Sequence, residues 1–166
     1  MKVYEMSELF ALMMLAWPNA PMFQPKQPKQ MEATVRLWTV CLPDMEFLTG
    51  QAAVIQLCRT CKFPPSIAEM GRTEEEIRKG IEDEIHNAVL SLRNGGRYFS
   101  NTRPDRITKA VSRIGGEERL WIPINEREAR FNIEEFREAY LQVCQEEVSQ
   151  TVRALYPVEN GAKRLK

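Results

Sequence analysis

The stretch from Thr73 to Leu92 constrains the fold most. Ile77, Ile81, Ile85, Ala88, Val89 and Leu92 recur at three- and four-residue spacing, which a 3.6-residue period gathers onto one face. The opposite face is dense in charge, and Glu75–Lys79 forms an i,i+4 pair. Thr73-Glu-Glu-Glu76 reads as a capping box. The pattern predicts a helix over about 74–93, stopped by Asn94-Gly95-Gly96. A helix this amphipathic must bury its apolar face against other elements.

The rest of the chain offers more helices. Ser7–Trp17 is rich in Leu, Met and Ala, with Ser7 as a cap, and Pro18-Asn19 ends it. Pro18, Pro21, Pro25 and Pro28 make a loop of extended character, with Met22 and Phe23 available to pack down. Val35, Leu37, Trp38, Cys41 and Leu42 form the stripe of a helix over about 30–42. Asp44 then caps a third helix, which runs to about Cys61. Ser66 caps a short turn, Ile67–Met70. Pro104 opens another helix with Ile107, Ala110, Val111 and Ile114 on its apolar face, and Gly115-Gly116 ends it. Leu120-Trp-Ile122 reads as a buried loop, since no partner strand is evident. Asn132 and Glu135 form a second capping box, opening a last helix that carries Ile133, Phe136, Tyr140, Val143 and Val148. The predicted fold is all-α, a small bundle of five or six helices with a helical C-terminal extension. The division expected is a helical domain over 1–70, a long charged helix over 71–96, a helical region over 97–156 and a flexible tail over 157–166.

Composition narrows the function. Lys+Arg and Asp+Glu are both 23, so the net charge is zero, and a general polyanion binder should be clearly basic. The single histidine, His86, excludes sites that need several. The longest apolar run, Leu9–Trp17, is too short to span a bilayer, which takes about 20 residues. Glu5 and Glu8 stand where a signal peptide would be positive. Four cysteines are few for a disulfide scaffold, which favours a reduced, cytoplasmic setting.

Candidate chemistry is sparse. Cys58-Arg-Thr-Cys61 has redox spacing, but it falls at a helix end, where the dipole opposes a thiolate. A zinc site could be completed only by Cys41, Cys144 or His86. Structural thiols are the favoured reading, ahead of metal or redox use. Glu82 and His86 are four apart but lack the His-Glu-x-x-His pattern, and a solvated helix face accounts for them. The carboxylates of 74–84 lie on that face too, and no phosphate-cradling glycine loop exists. Neither an enzyme nor a cofactor is expected.

Charge placement says more. Residues 97–116 hold Arg97, Arg103, Arg106, Lys109 and Arg113 against Asp105, whereas 117–156 hold five arginines against nine glutamates. Tyr98 and Phe99 adjoin the basic group and could stack on bases. Two readings stay open: a solvated face balanced by the acidic helix after it, or a contact for nucleic acid or an acidic partner through Arg97, Tyr98, Arg103, Arg106, Lys109 and Arg113. The Met-rich first helix (Met6, Met13, Met14) reads as core, with a partner interface as the alternative.

Three pieces in order carry a resemblance: Leu9–Trp17-Pro18-Asn19, Thr34-Val35-Arg36-Leu37-Trp38, and Lys62-Phe63-Pro64-Pro65-Ser66-Ile67-Ala68-Glu69. Over residues 5 to about 70 the chain resembles the phage replicative-helicase loader/inhibitor family. Further on, Ile107–Gly116 with Phe136-x-x-x-Tyr140 is similar to the C-terminal part of longer phage replication proteins, except that Glu117 stands where Trp usually follows Ile-Gly-Gly. The resemblance implies an all-helical phage or prophage adaptor in the host cytoplasm. Such a protein binds the hexameric replicative helicase, inhibits it and hands it to an origin-bound initiator, without catalytic residues or cofactors. In that family a flexible C-terminal region contacts helicase. Residues 97–156 look structured here, so no contact residue carries over. The alternatives are a nucleic-acid-binding replication accessory and a phage inhibitor of another host enzyme.

Overall fold

The computed structural model describes residues 1–24, 28–94, 103–121 and 125–155. Among these the fold is all-α, with no strand. The α-helices are α1 (Val3–Ala16), α2 (Pro28–Cys41), α3 (Phe47–Thr60), α4 (Ile67–Arg93), α5 (Asp105–Arg113), α6 (Glu118–Trp121) and α7 (Glu126–Leu155), with a 3-10 turn at Pro21–Phe23. The chain divides into two compact units, Met1–Ile81 and Glu82–Lys166, with the boundary inside α4.

In the first unit α1 packs against α2 and α3. Met6, Leu9, Phe10, Leu12 and Met13 are its buried side. Phe10 stands edge-on to Phe23 and to Trp38, with centroids 5.9 and 5.1 Å away, a geometry that adds to area burial. Of the two residues available to pack down from the proline loop, Phe23 is buried and Met22 half-buried. Trp17 is buried and its Nε1–H donates to the Cys61 carbonyl at 3.4 Å, tying the end of α1 to the end of α3. Glu74 is almost fully buried, and the Thr49 hydroxyl donates to its Oε1 at 2.6 Å.

The second unit packs α5 and α6 on α7. Ile107, Ala110, Val111, Phe136, Ala139, Tyr140 and Val143 form its interior, with Ile85, Ala88, Val89 and Leu92 of α4 buried as their spacing predicts. Gly115 and Gly116 take φ of 87° and 118°, and Gly116 N–H donates to the Val111 carbonyl at 3.0 Å. This left-handed stop ends α5 as expected.

Several helix starts differ from the sequence reading. The first helix begins at Val3, not Ser7: Lys2 N–H donates to Glu5 at 2.6 Å, and the Ser7 hydroxyl donates back to the Val3 carbonyl at 3.0 Å. Asp44 does not cap α3, whose N-cap is Glu46. Ile67–Met70 and the long amphipathic helix are one element, α4. Ser66 N–H and Oγ–H both donate to Glu69 Oε2 at 2.7 Å, and Glu69 N–H returns a bond to Ser66 Oγ at 3.2 Å. With that cap two turns upstream, Thr73 has no orphan amides to satisfy and sits buried inside the helix, and Gly71 is too mild a breaker to interrupt it. Residues 118–121 form one helical turn rather than a loop. The last helix starts at Glu126, where Asn125 Oδ1 accepts from Glu128 N–H at 2.9 Å. Asn132 is buried within α7: it donates to the Arg119 carbonyl at 2.6 Å and accepts from the Arg119 guanidinium at 3.2 Å, holding α6 down. Among the described residues seven α-helices stand where five or six were expected for the chain.

Candidate functional site

Two surfaces come forward, one in each unit. The first is the basic helix α5. Arg97 and Tyr98, with Phe99, lie outside the described residues. The four remaining candidates are all engaged with carboxylates. Arg103 pairs with Glu117. Arg106 Nε donates to Glu147 Oε2 at 2.6 Å, and Glu84 Oε2 lies 3.7 Å from its Nη1. Lys109 meets Asp105 at 2.6 Å, one turn back on its own helix, and Arg113 meets Glu146 at 2.6 Å. Two of these pairs, Arg106–Glu147 and Arg113–Glu146, join α5 to the acidic helix α7. Partly exposed pairs of this kind contribute little stability each, about 0–1 kcal/mol.

Arg106 belongs to a polar cluster with Tyr140, Glu84, Glu147 and Cys144. Burial works against the Arg106 charge, yet hydrogen bonds to Glu147 and Tyr140 outweigh it and hold the guanidinium more firmly protonated than usual. Burial, then the hydrogen bond to Glu84, pushes the Tyr140 phenol up. Burial also pushes the Cys144 thiol up. The Tyr140 phenol and the Cys144 thiol are therefore held protonated near neutral pH. A cleft lined by Asn87, Ser91, Arg106, Ile107 and Glu147 opens beside it. Asn94 and Pro104 also line it.

The cysteine pair stands as the helix-end position suggested. Cys58 lies in the last turns of α3 and Cys61 is its C-cap. Burial pushes the Cys58 thiol up, opposite to what a redox nucleophile requires. Among the described residues no three His, Cys, Asp or Glu side chains are grouped so as to hold a metal ion, and no helix is long and apolar enough to cross a membrane. Glu82 is bound by Arg137 at 2.9 Å, while His86 is exposed.

The second surface is the outer side of α1. The Met-rich helix is both core and surface. Met6 and Met13 are buried, whereas Met14 is exposed together with Val3, Tyr4, Ala11 and Leu15. A helix started at Ser7 leaves out Val3 and Tyr4, and a helical wheel begun one turn earlier shows the stripe. On α2, Leu37, Val40 and Cys41 also face outward, so the stripe read there is buried only at Val35 and Trp38, with Leu42 half-buried.

A family of phage gene 39 proteins matches residues 1–71 through the model of its N-terminal domain. The family is one of helicase-binding inhibitor proteins. The matched span coincides with the resemblance over 5–70 read from the sequence and lies within the first compact unit. No curated protein and no solved structure matches the chain. Much of the matched span's motif content is scaffold, although Leu37 and Phe63 are exposed. Trp17 and Trp38 are core, Pro65 is buried, and Ser66-Ile-Ala-Glu69 is the capping box of α4.

Proposed function

We propose that this chain is a phage or prophage DNA-replication adaptor that binds the replicative helicase, inhibiting it, delivering it to an origin-bound initiator, or both. The match over residues 1–71 carries the reading, and the match coincides with a unit that closes its own core. An adaptor of this kind acts by holding a partner, through a rigid scaffold and a few exposed anchors. Catalytic groups and a cofactor have no part in it, and it works in the host cytoplasm. In this reading residues 1–70 are the adaptor domain and 97–156 a structured extension of it.

The test is a pull-down of the tagged chain from host lysate with and without ATP. ATP-dependent recovery of the replicative helicase is expected. Recovery of nucleic acid or of an unrelated enzyme, with no helicase, would reduce the match to a shared scaffold. A nucleic-acid contact through Arg97, Tyr98, Arg103, Arg106, Lys109 and Arg113 is the second reading, favoured by the partial exposure of Arg106 and Lys109. It requires salt-sensitive DNA binding that collapses when Arg106, Lys109 and Arg113 all become Glu.

A further inference from the structure

The cleft beside Arg106 belongs to the second unit and has a volume of about 950 Å³, the size of a site for one small ligand. Ala88, Ile107 and Pro104 give it apolar walls. Ser91 lines it, is 1% exposed, and its Oγ has no hydrogen-bond partner among the described residues. A buried hydroxyl left in this way costs free energy that a ligand atom bonded to it would restore. The other polar atoms left free are mostly acceptors. Asn94 Nδ2 is spent on the Leu90 carbonyl at 2.7 Å, which leaves Oδ1. Glu147 Oε2 takes Arg106 and Asp105 Oδ2 takes Lys109, both at 2.6 Å. Glu84 Oε2 takes the Tyr140 hydroxyl and lies 3.7 Å from Arg106. The second oxygen of each of these three carboxylates has no partner among the described residues.

We propose that this cleft binds an aliphatic diamine or polyamine. A primary ammonium brings three donors and no acceptor, the complement of what the cleft leaves free. Its methylene stem lies against Ala88 and Ile107, while its nitrogens donate to the carboxylates, to Asn94 Oδ1 and to Ser91 Oγ. Charge selects the same class. Glu84, Asp105 and Glu147 line the cleft against Arg106 alone, and an anionic excess remains even when Lys109 is counted with its partner Asp105. A phosphate or carboxylate ligand would face those three carboxylates, with Arg106 already held by Glu147. A bare divalent cation would match the charge, but among the described residues the acidic groups are not gathered so as to hold one, and it would leave the apolar walls unused. The inference stands apart from the helicase-binding reading, so either can fail without the other.

The experiment titrates spermidine and putrescine into the isotope-labelled full chain and follows amide chemical shifts by NMR at physiological ionic strength. Adenosine monophosphate and Nα-acetyl-lysine methylamide are the comparison probes. Saturable shifts at Asn87, Ser91 and Ile107 are expected with the amines and not with the nucleotide. The variants are Ser91→Ala, the double change Glu84→Gln with Asp105→Asn, and Glu134→Gln with Glu138→Gln as an acidic control on exposed positions of α7. Circular dichroism confirms that each is folded. Ser91→Ala is expected to bind spermidine several-fold more weakly while unfolding in no less urea than wild type, because the hydroxyl it removes has no partner to lose. The Glu84/Asp105 variant should bind about tenfold more weakly, and the control within about twofold of wild type. Absence of saturable amine binding would overturn the proposal. So would a loss in the control equal to that in the cleft variants, which would mean diffuse attraction to acidic surface. Tighter binding of the lysine derivative than of either amine would make a protein lysine the occupant, and binding that appears only in Tyr98→Ser with Phe99→Ser would make the occupant part of this chain; each overturns the proposal.

Discussion

The same chemical change at two glycines should have opposite effects, and the sign reports how closely α1 and α3 approach. Gly80 lies on an exposed part of α4, where an added Cβ meets nothing within 4 Å. Gly80→Ala keeps only the helix-propensity gain, about 0.5–1 kcal/mol of stabilisation. Gly50 faces α1, and its added Cβ would stand 3.0 Å from Leu9 Cδ1 and 3.2 Å from Met45 Sδ. Met45 can flex, but Leu9 is fully buried and has no free space to enter. Overpacking of this kind costs about 1–3 kcal/mol, which exceeds the propensity gain. Gly50→Ala is therefore expected to destabilise by roughly 1 kcal/mol net, a fall in Tm of about 4–8 °C for a unit of this size. Both glycines belong to the unit Met1–Ile81, so one urea transition followed by circular dichroism reads both. Stabilisation by Gly50→Ala equal to that by Gly80→Ala would refute the close α1–α3 packing.

Three further outcomes are expected. Ser66→Ala should cost the first unit about 1 kcal/mol by removing the α4 cap. The bonds from Ser66 backbone and hydroxyl hold the Glu69 carboxyl below its usual range. Its contribution is thus complete above about pH 4.5 and lost as pH falls below it, and a stability–pH profile of Glu69→Gln should lack that loss. Asn132→Ala removes the anchor of α6 and strands the Arg119 carbonyl, so urea denaturation should show a loss of about 1–3 kcal/mol. Cys58 and Cys144 should react with iodoacetamide near pH 7 more slowly than exposed Cys41, as peptide mass spectrometry would show. Preferential labelling of Cys58 would revive the redox reading.

The apolar periodicity was legible because burial follows it directly: Ile85, Ala88, Val89 and Leu92 are inside, and the Gly115-Gly116 stop is where it was read. Helix starts were less legible. Ser7, Thr73 and Asn132 are all cap-type residues, the last two with a glutamate three positions on, yet each lies within a helix. A cap is needed only where amide groups lack partners, and that depends on whether the preceding turn is already helical. Lys2, Ser66 and Asn125 settle it for α1, α4 and α7, through bonds to or from Glu5, Glu69 and Glu128. The basic group at Arg103–Arg113 was legible as a cluster, but not its pairing with Glu117, nor that with Glu146 and Glu147, which follows from α5 packing on α7. The resemblance was legible because many of its motif residues, such as Trp17, Trp38, Pro65 and the Ser66–Glu69 pair, are core and cap, although Phe63 and Leu37 are exposed. The exposed stripe of α1 was obscured because nearly every residue of that helix is apolar, so composition alone cannot separate its inner face from its outer one.

Helicase binding is tested most directly by sedimentation velocity of purified host replicative helicase with the full chain, with and without ATP. The expected result is a helicase hexamer that sediments faster when the chain is added in the presence of ATP, with the chain's absorbance moving in that boundary. Two independent boundaries under both conditions, at concentrations in the micromolar range typical of weak adaptor contacts, would contradict it.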